Sequence, residues 1–66
     1  MITYEPFFST LKRKEISTYR LINNYGFSKG TLDSLKPNKN ITMETFNYIC
    51  NLLECEISDV IRYTKD

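Results

Sequence analysis

An apolar residue followed at once by Ser or Thr recurs along the chain, as Ile16-Ser17, Phe27-Ser28, Ile41-Thr42 and Ile57-Ser58. A hydroxyl in that place can accept a hydrogen bond from the free amides of a starting helix. The apolar residue before it can pack on the fourth helical residue and fix the entry angle. That fourth residue is Leu21, Leu32 or Phe46 in three cases, and Arg62, with only its methylene stem, in the last. The pattern predicts helices over about 17–25, 28–36, 42–53 and 58–62. A further helix is expected over about 6–14. Pro6 suits a first turn that needs no amide donor, Phe7, Phe8 and Leu11 mark a core face, and Lys12, Arg13 and Lys14 complement the negative helix end.

The fourth of these five helices carries the clearest stripe: Met43, Phe46, Cys50 and Leu53 on one line, with Ile49 and Leu52 beside it. The two ends differ. Ile2-Thr3-Tyr4 and Ile61-Arg62-Tyr63 alternate as strands do, so the termini can pair as a short antiparallel ribbon, marginal unless it packs on something. The expected architecture is all-α, five helices with a short terminal β-ribbon as an addition. Pro37-Asn38-Lys39-Asn40 forms the one loop of note.

Sixty-six residues make one domain, residues 1–66, with a thin core that dimerisation would support. The 41% apolar content is that of a folded domain, not a disordered segment. No apolar run approaches the ~20 residues of a membrane span, and the start lacks the basic and apolar regions of an export signal. Cytoplasmic location is the expectation. Cys50 and Cys55 are too few for a disulfide scaffold, and residues five apart on one helix point in different directions. Both are read as reduced, small core residues. With no His, a zinc site lacks ligands and a general base is missing. No Gly-rich phosphate loop or activated nucleophile is present, so neither catalysis, a cofactor nor a small-molecule ligand is expected. The net charge of +1 does not by itself suggest an anionic partner.

Distribution says more. Gly26 follows the predicted helix 17–25 and can supply the left-handed backbone that reverses the chain. With about three residues between helices, they must cross steeply, as in a helix-turn-helix unit spanning about 17–36. Leu21 and Ile22 then face Leu32 and Leu35, with Phe27 in the corner. What faces outward on the second helix is polar and short: Ser28, Lys29, Gly30, Thr31, Asp33 and Ser34. Small side chains let a helix lie deep in the major groove of duplex DNA, where Lys29 reaches a guanine edge and Thr31 or Ser34 either base class. The positive end of that helix points at phosphates. Thr18 and Tyr19 in the preceding helix, with Arg20, Lys36, Asn38 and Lys39, are candidate contacts that position the protein without specifying sequence. The acids Glu44, Glu54, Glu56, Asp59 and Asp66 lie mostly in the carboxy-terminal third.

Ser17-x-x-x-Leu21, Gly26-Phe27-Ser28-x-x-Thr31-Leu32 and Leu35 resemble the helix-turn-helix pattern of the Cro and phage-repressor (XRE-like) transcriptional regulators. Leu53-x-Cys55-x-Ile57-x-Asp59-Val60-Ile61-x-Tyr63 is similar to the closing segment of a compact bacterial subgroup. The resemblance implies a five-helix lambda-repressor-like fold, a cytoplasmic location and a homodimer on operator DNA. The chain departs from the pattern at Thr18 and Lys29, where the family commonly has Gln, and at Ile22, where it has a smaller residue. Asp33 repels phosphate unless it accepts from a cytosine amine, and Gly30 costs the helix ~1 kcal/mol relative to Ala.

The function expected is a sequence-specific, double-stranded-DNA-binding regulator, a repressor acting as a dimer. Tyr48, Ile49, Leu52, Val60, Ile61 and Tyr63 are the expected dimer surface, at the end away from the recognition helix. The alternative, motivated by Asp33 and the small net charge, is a protein-interaction module of the same fold, an antitoxin or anti-repressor-like partner without specific DNA binding.

Overall fold

The computed structural model describes residues 1–66. Four α-helices follow one another: α1 Glu5–Arg13, α2 Thr18–Asn23, α3 Lys29–Leu35 and α4 Met43–Leu53. A 3-10 turn, Ile57–Asp59, closes the chain, and β1 Ile2–Thr3 pairs with β2 Arg62–Tyr63. The ribbon is antiparallel, with Ile2 opposite Tyr63 and Thr3 opposite Arg62. It is extended by a Thr64 amide donating to Met1 O at 2.8 Å. The Met1 ammonium adds an ion pair with Asp66 at 2.6 Å.

Three of the four expected hydroxyl caps form. Ser17 Oγ accepts from Arg20 N at 3.1 Å, Ser28 Oγ from Thr31 N at 3.3 Å and Thr42 Oγ1 from Thr45 N at 3.1 Å. Ser58 caps nothing, and the expected fifth helix over 58–62 is replaced by the 3-10 turn. There Asp59 Oδ2 accepts from Glu56 N at 3.0 Å. Arg62 gives this segment no apolar residue to staple, and β1 captures Arg62 and Tyr63 as ribbon partners. α2 also ends earlier than expected, at Asn23, so Asn24 to Ser28 connect the two helices of the unit.

The core is built from Tyr4, Phe7 and Leu11 of the amino-terminal segment, Leu21 of α2, Leu32 and Leu35 of α3, and Phe46, Ile49 and Leu53 of α4, joined by Ile16, Phe27 and Val60. Aromatic rings run through it. Phe7 meets Phe8 edge-on with centroids 5.0 Å apart and stacks on Phe27 at 5.9 Å; Phe27 stacks on Tyr48 at 5.7 Å. α1, the corner between α2 and α3, and α4 are thereby locked to one another. The buried Thr10 hydroxyl donates to Asp59 O at 2.7 Å and ties the 3-10 turn to α1.

The inward stripe of α4 is Phe46, Ile49 and Leu53, whereas Met43 is exposed and Cys50 half-buried. Ile49 and Val60, both 0% exposed, are core residues and cannot form a dimer surface. The expectation erred by aligning the stripe on Met43 and Cys50. Ile49 lies three residues after Phe46 and four before Leu53, which puts it on the true core line.

Three helices end in the same reversal. Ile16 N donates to Leu11 O at 2.9 Å, Lys39 N to Ser34 O at 2.9 Å and Cys55 N to Cys50 O at 3.1 Å. Each is the six-residue closure of a Schellman motif, which requires a left-handed residue just before the donor. Those residues are Glu15 (φ 57°), Asn38 (φ 58°) and Glu54 (φ 51°). A non-glycine residue there costs ~1–2 kcal/mol, only partly offset by glycine's larger unfolded-state entropy. Glu54→Gly is therefore expected to stabilise the fold by about 0.5–1 kcal/mol, read as a higher urea midpoint with an unchanged slope.

Candidate nucleic-acid interface

α3 is amphipathic over its whole length. Leu32 and Leu35 are buried, Thr31 and Ser34 lie half-buried at the margins, and Lys29, Gly30, Asp33 and Lys36 are exposed. Those four positions, spaced i, i+1, i+4 and i+7, make one outward face. None of its charged groups is in an ion pair; the two ion pairs of the molecule are Met1–Asp66 and Arg13–Asp59. No other acid stands on α3 beside Asp33. The surface concavities, of 320 to 440 Å³, lie elsewhere and include no residue of α3. The face is open and convex, suited to entering a groove rather than enclosing a ligand.

Two serines, one capping α3 and one within it, have structural duties that leave chemistry free. Ser28 Oγ accepts the Thr31 amide, and Ser34 Oγ donates to Gly30 O at 3.2 Å. A hydroxyl can donate once and accept twice, so Ser28 keeps its proton and Ser34 keeps acceptor capacity. Gly26 and Gly30 differ in kind. Gly26 has φ 69°, with no atom within 4 Å of an added Cβ, so it is required by backbone conformation and not by space. At Gly30, a Cβ would meet only Ser28 Oγ, at an ordinary 3.7 Å, with no positive φ. The fold itself does not need glycine there.

The flanking candidates are placed less uniformly. Thr18 and Tyr19 stand in the first turn of α2, Tyr19 73% exposed with its ring free. Arg20 donates through Nη1 to Glu15 O at 3.2 Å, holding its head at the turn between α1 and α2. Lys36 and Lys39 project from the end of α3 and the loop after it, both exposed. Asn38 has an internal task that its sequence position did not disclose: its Oδ1 accepts from Tyr4 N at 3.0 Å. Tyr4, absent from the expected site, also donates its hydroxyl to Lys39 O at 2.7 Å. It braces the loop that carries Lys39 against the amino-terminal segment. No local motif marks a tyrosine for that role.

The expected dimer residues do not gather in one patch. With Ile49 and Val60 buried, Tyr48 and Leu52 remain on one face of α4, Tyr48 stacked on Phe27 near the corner before α3. Ile61 borders Ile2, Tyr4 and Phe46, and Tyr63 stands exposed on the ribbon.

No helix is long and apolar enough to cross a membrane. No curated protein sequence matches the chain. The crystal structure of the transcriptional regulator VanUg (form II) superposes with a TM-score of 0.81 at 25% identity, covering 98% of this chain and 87% of that one. A family model described as the Cro/C1-type helix-turn-helix DNA-binding domain matches residues 9–66. The chain belongs to the Cro/C1-type helix-turn-helix DNA-binding family.

Proposed function

We propose that this protein is a sequence-specific transcriptional regulator, a repressor, that binds duplex DNA as a homodimer in the cytoplasm, with α3 of each protomer in a major groove. The observation that carries the reading is the exposed face of α3, and Gly30 above all. A glycine inside a helix costs ~1 kcal/mol relative to Ala, and nothing within the fold asks for it. A surface that must approach α3 closely does, and the floor of a major groove is such a surface. Lys29 beside it donates to a guanine edge, and the unpaired Lys36 and Lys39 meet phosphates.

A dimer would set two copies of α3 on half-sites ~34 Å apart, one turn of duplex. Of the expected surface, Ile61 and Tyr63, which lie together beside the terminal ribbon, are the candidate contacts between protomers. A regulator of this kind represses by occupying its operator.

The test pairs Gly30→Ala with Lys29→Ala on duplex recovered from a random pool. Gly30→Ala is expected to stabilise the free protein by about 0.5–1 kcal/mol while weakening binding. Lys29→Ala is expected to lose ~1–3 kcal/mol at the cognate site and to relax its base preference. Unchanged affinity in both variants would contradict the assignment of the face.

The unpaired Asp33 favours a second reading, in which the same face docks a protein. Asp33→Asn separates the two. It strengthens retention of arbitrary duplex at low salt if the face meets phosphates, and leaves it untouched if the partner is a protein.

A further inference from the structure

The reversal that ends α4 repeats the one that ends α1. In both, a glutamate is left-handed and the amide after it donates to the carbonyl five residues back. That closure brings the two terminal side chains of the motif against each other. At α1 they are Leu11 and Ile16, both in the buried core. At α4 they are Cys50 and Cys55, both free and both half-buried against the core. The two cysteines are therefore not five apart on one helix; Cys55 lies past the turn and faces back. Burial, the neighbouring Cys50 thiol and Asp59 hold the Cys55 thiol protonated beyond its ordinary range, with Lys14 acting weakly the other way.

We propose that Cys50 and Cys55 form an oxidisable dithiol, a modification site at which hydrogen peroxide closes a reversible disulfide across the carboxy-terminal turn of α4. One thiolate attacks peroxide and becomes a sulfenic acid, releasing one water after proton uptake. The second thiol attacks that sulfur and expels the oxygen as a second water. Two electrons pass from the sulfurs to peroxide, and both thiol protons end in water. Burial, the Cys50 thiol and Asp59 oppose ionisation of Cys55, with only Lys14 favouring it, so attack by the Cys55 sulfur quickens as pH rises.

Cys55 stands two residues before the 3-10 turn that Thr10 and Asp59 anchor to α1. Closure staples this turn to α4 and leaves α3 untouched. The site lies apart from the DNA-facing surface and does not depend on that surface's role.

The reduced protein, dilute and at mildly alkaline pH, is treated with hydrogen peroxide and followed by thiol titration, intact mass and thermal melting. Both thiols are expected to disappear together from a single, uncrosslinked chain that becomes ~2 Da lighter. Its Tm is expected to rise by roughly 10 °C, as a short closed loop predicts. Dithiothreitol restores both. Cys50→Ser and Cys55→Ser, which keep the fold, each abolish the rise. Oxygen-adduct masses, a disulfide joining two molecules, or two thiols that still titrate would each overturn the proposal.

Discussion

Phe7→Ala is expected to remove about half or more of the fold's stability, with the loss of helical far-ultraviolet circular dichroism moving to much lower urea and temperature. Phe7 is fully buried, meets Phe8 edge-on and stacks on Phe27. It is the ring through which α1 grips the corner between α2 and α3. Truncating a buried Phe to Ala costs ~3–5 kcal/mol. At ~0.05–0.15 kcal/mol per residue, a chain of this length holds only ~3–10 kcal/mol in total. Phe8→Ala is the control: the same chemistry at a half-buried position costs far less and keeps the cooperative transition. A Phe7→Ala protein that unfolds in urea within ~1 kcal/mol of the parent would contradict the central place given to the aromatic row.

The second large effect is on binding. Lys36→Ala combined with Lys39→Ala is expected to weaken binding to every duplex by a similar factor, whatever its sequence. It is also expected to flatten the dependence of log affinity on log salt by ~2, about one unit for each phosphate that a lysine no longer neutralises. Both side chains are exposed and unpaired, so the fold should not register their removal. Tyr4 holds the Lys39 carbonyl and the Asn38 side chain through hydrogen bonds that neither substitution touches. Titration by fluorescence anisotropy between about 50 and 200 mM salt reads the slope. A slope that stays put while affinity falls at one sequence alone would make these lysines base readers rather than phosphate anchors.

Some elements of this fold are written locally in the chain and others are not, for physical reasons. Ser17, Ser28 and Thr42 announce their helices because a cap is a local device, written within four residues of chain. Gly26 announces the corner because only glycine takes that backbone without strain. The exposed face of α3 is readable for a similar reason, since Leu32 and Leu35 fix which side turns inward. Glu15 and Glu54 sit in the same left-handed conformation as Gly26 with no residue type to mark them. Tertiary packing holds them there, and the turn that joins Cys50 to Cys55 is as hidden as Glu54. Ile49 and Val60 read as surface because, once a thin core is assumed full, each remaining apolar residue looks exposed. The fifth helix failed where β1, sixty residues away in the chain, offered Arg62 and Tyr63 a better pairing. The second task of Asn38, accepting the Tyr4 amide through Oδ1, is hidden because nothing local reveals that Tyr4 reaches its side chain.

The DNA-binding role proposed for α3 requires its outward face to meet the duplex. Amide chemical-shift mapping of the isotopically labelled protein, titrated with duplex recovered from a random pool, tests it most directly. The largest shifts are expected from Ser28 to Ser34, smaller ones at Thr18, Tyr19 and Lys36 to Lys39, and none at the turn Ile57–Asp59. Shifts centred on that turn or on the ribbon, with α3 silent, would contradict that role.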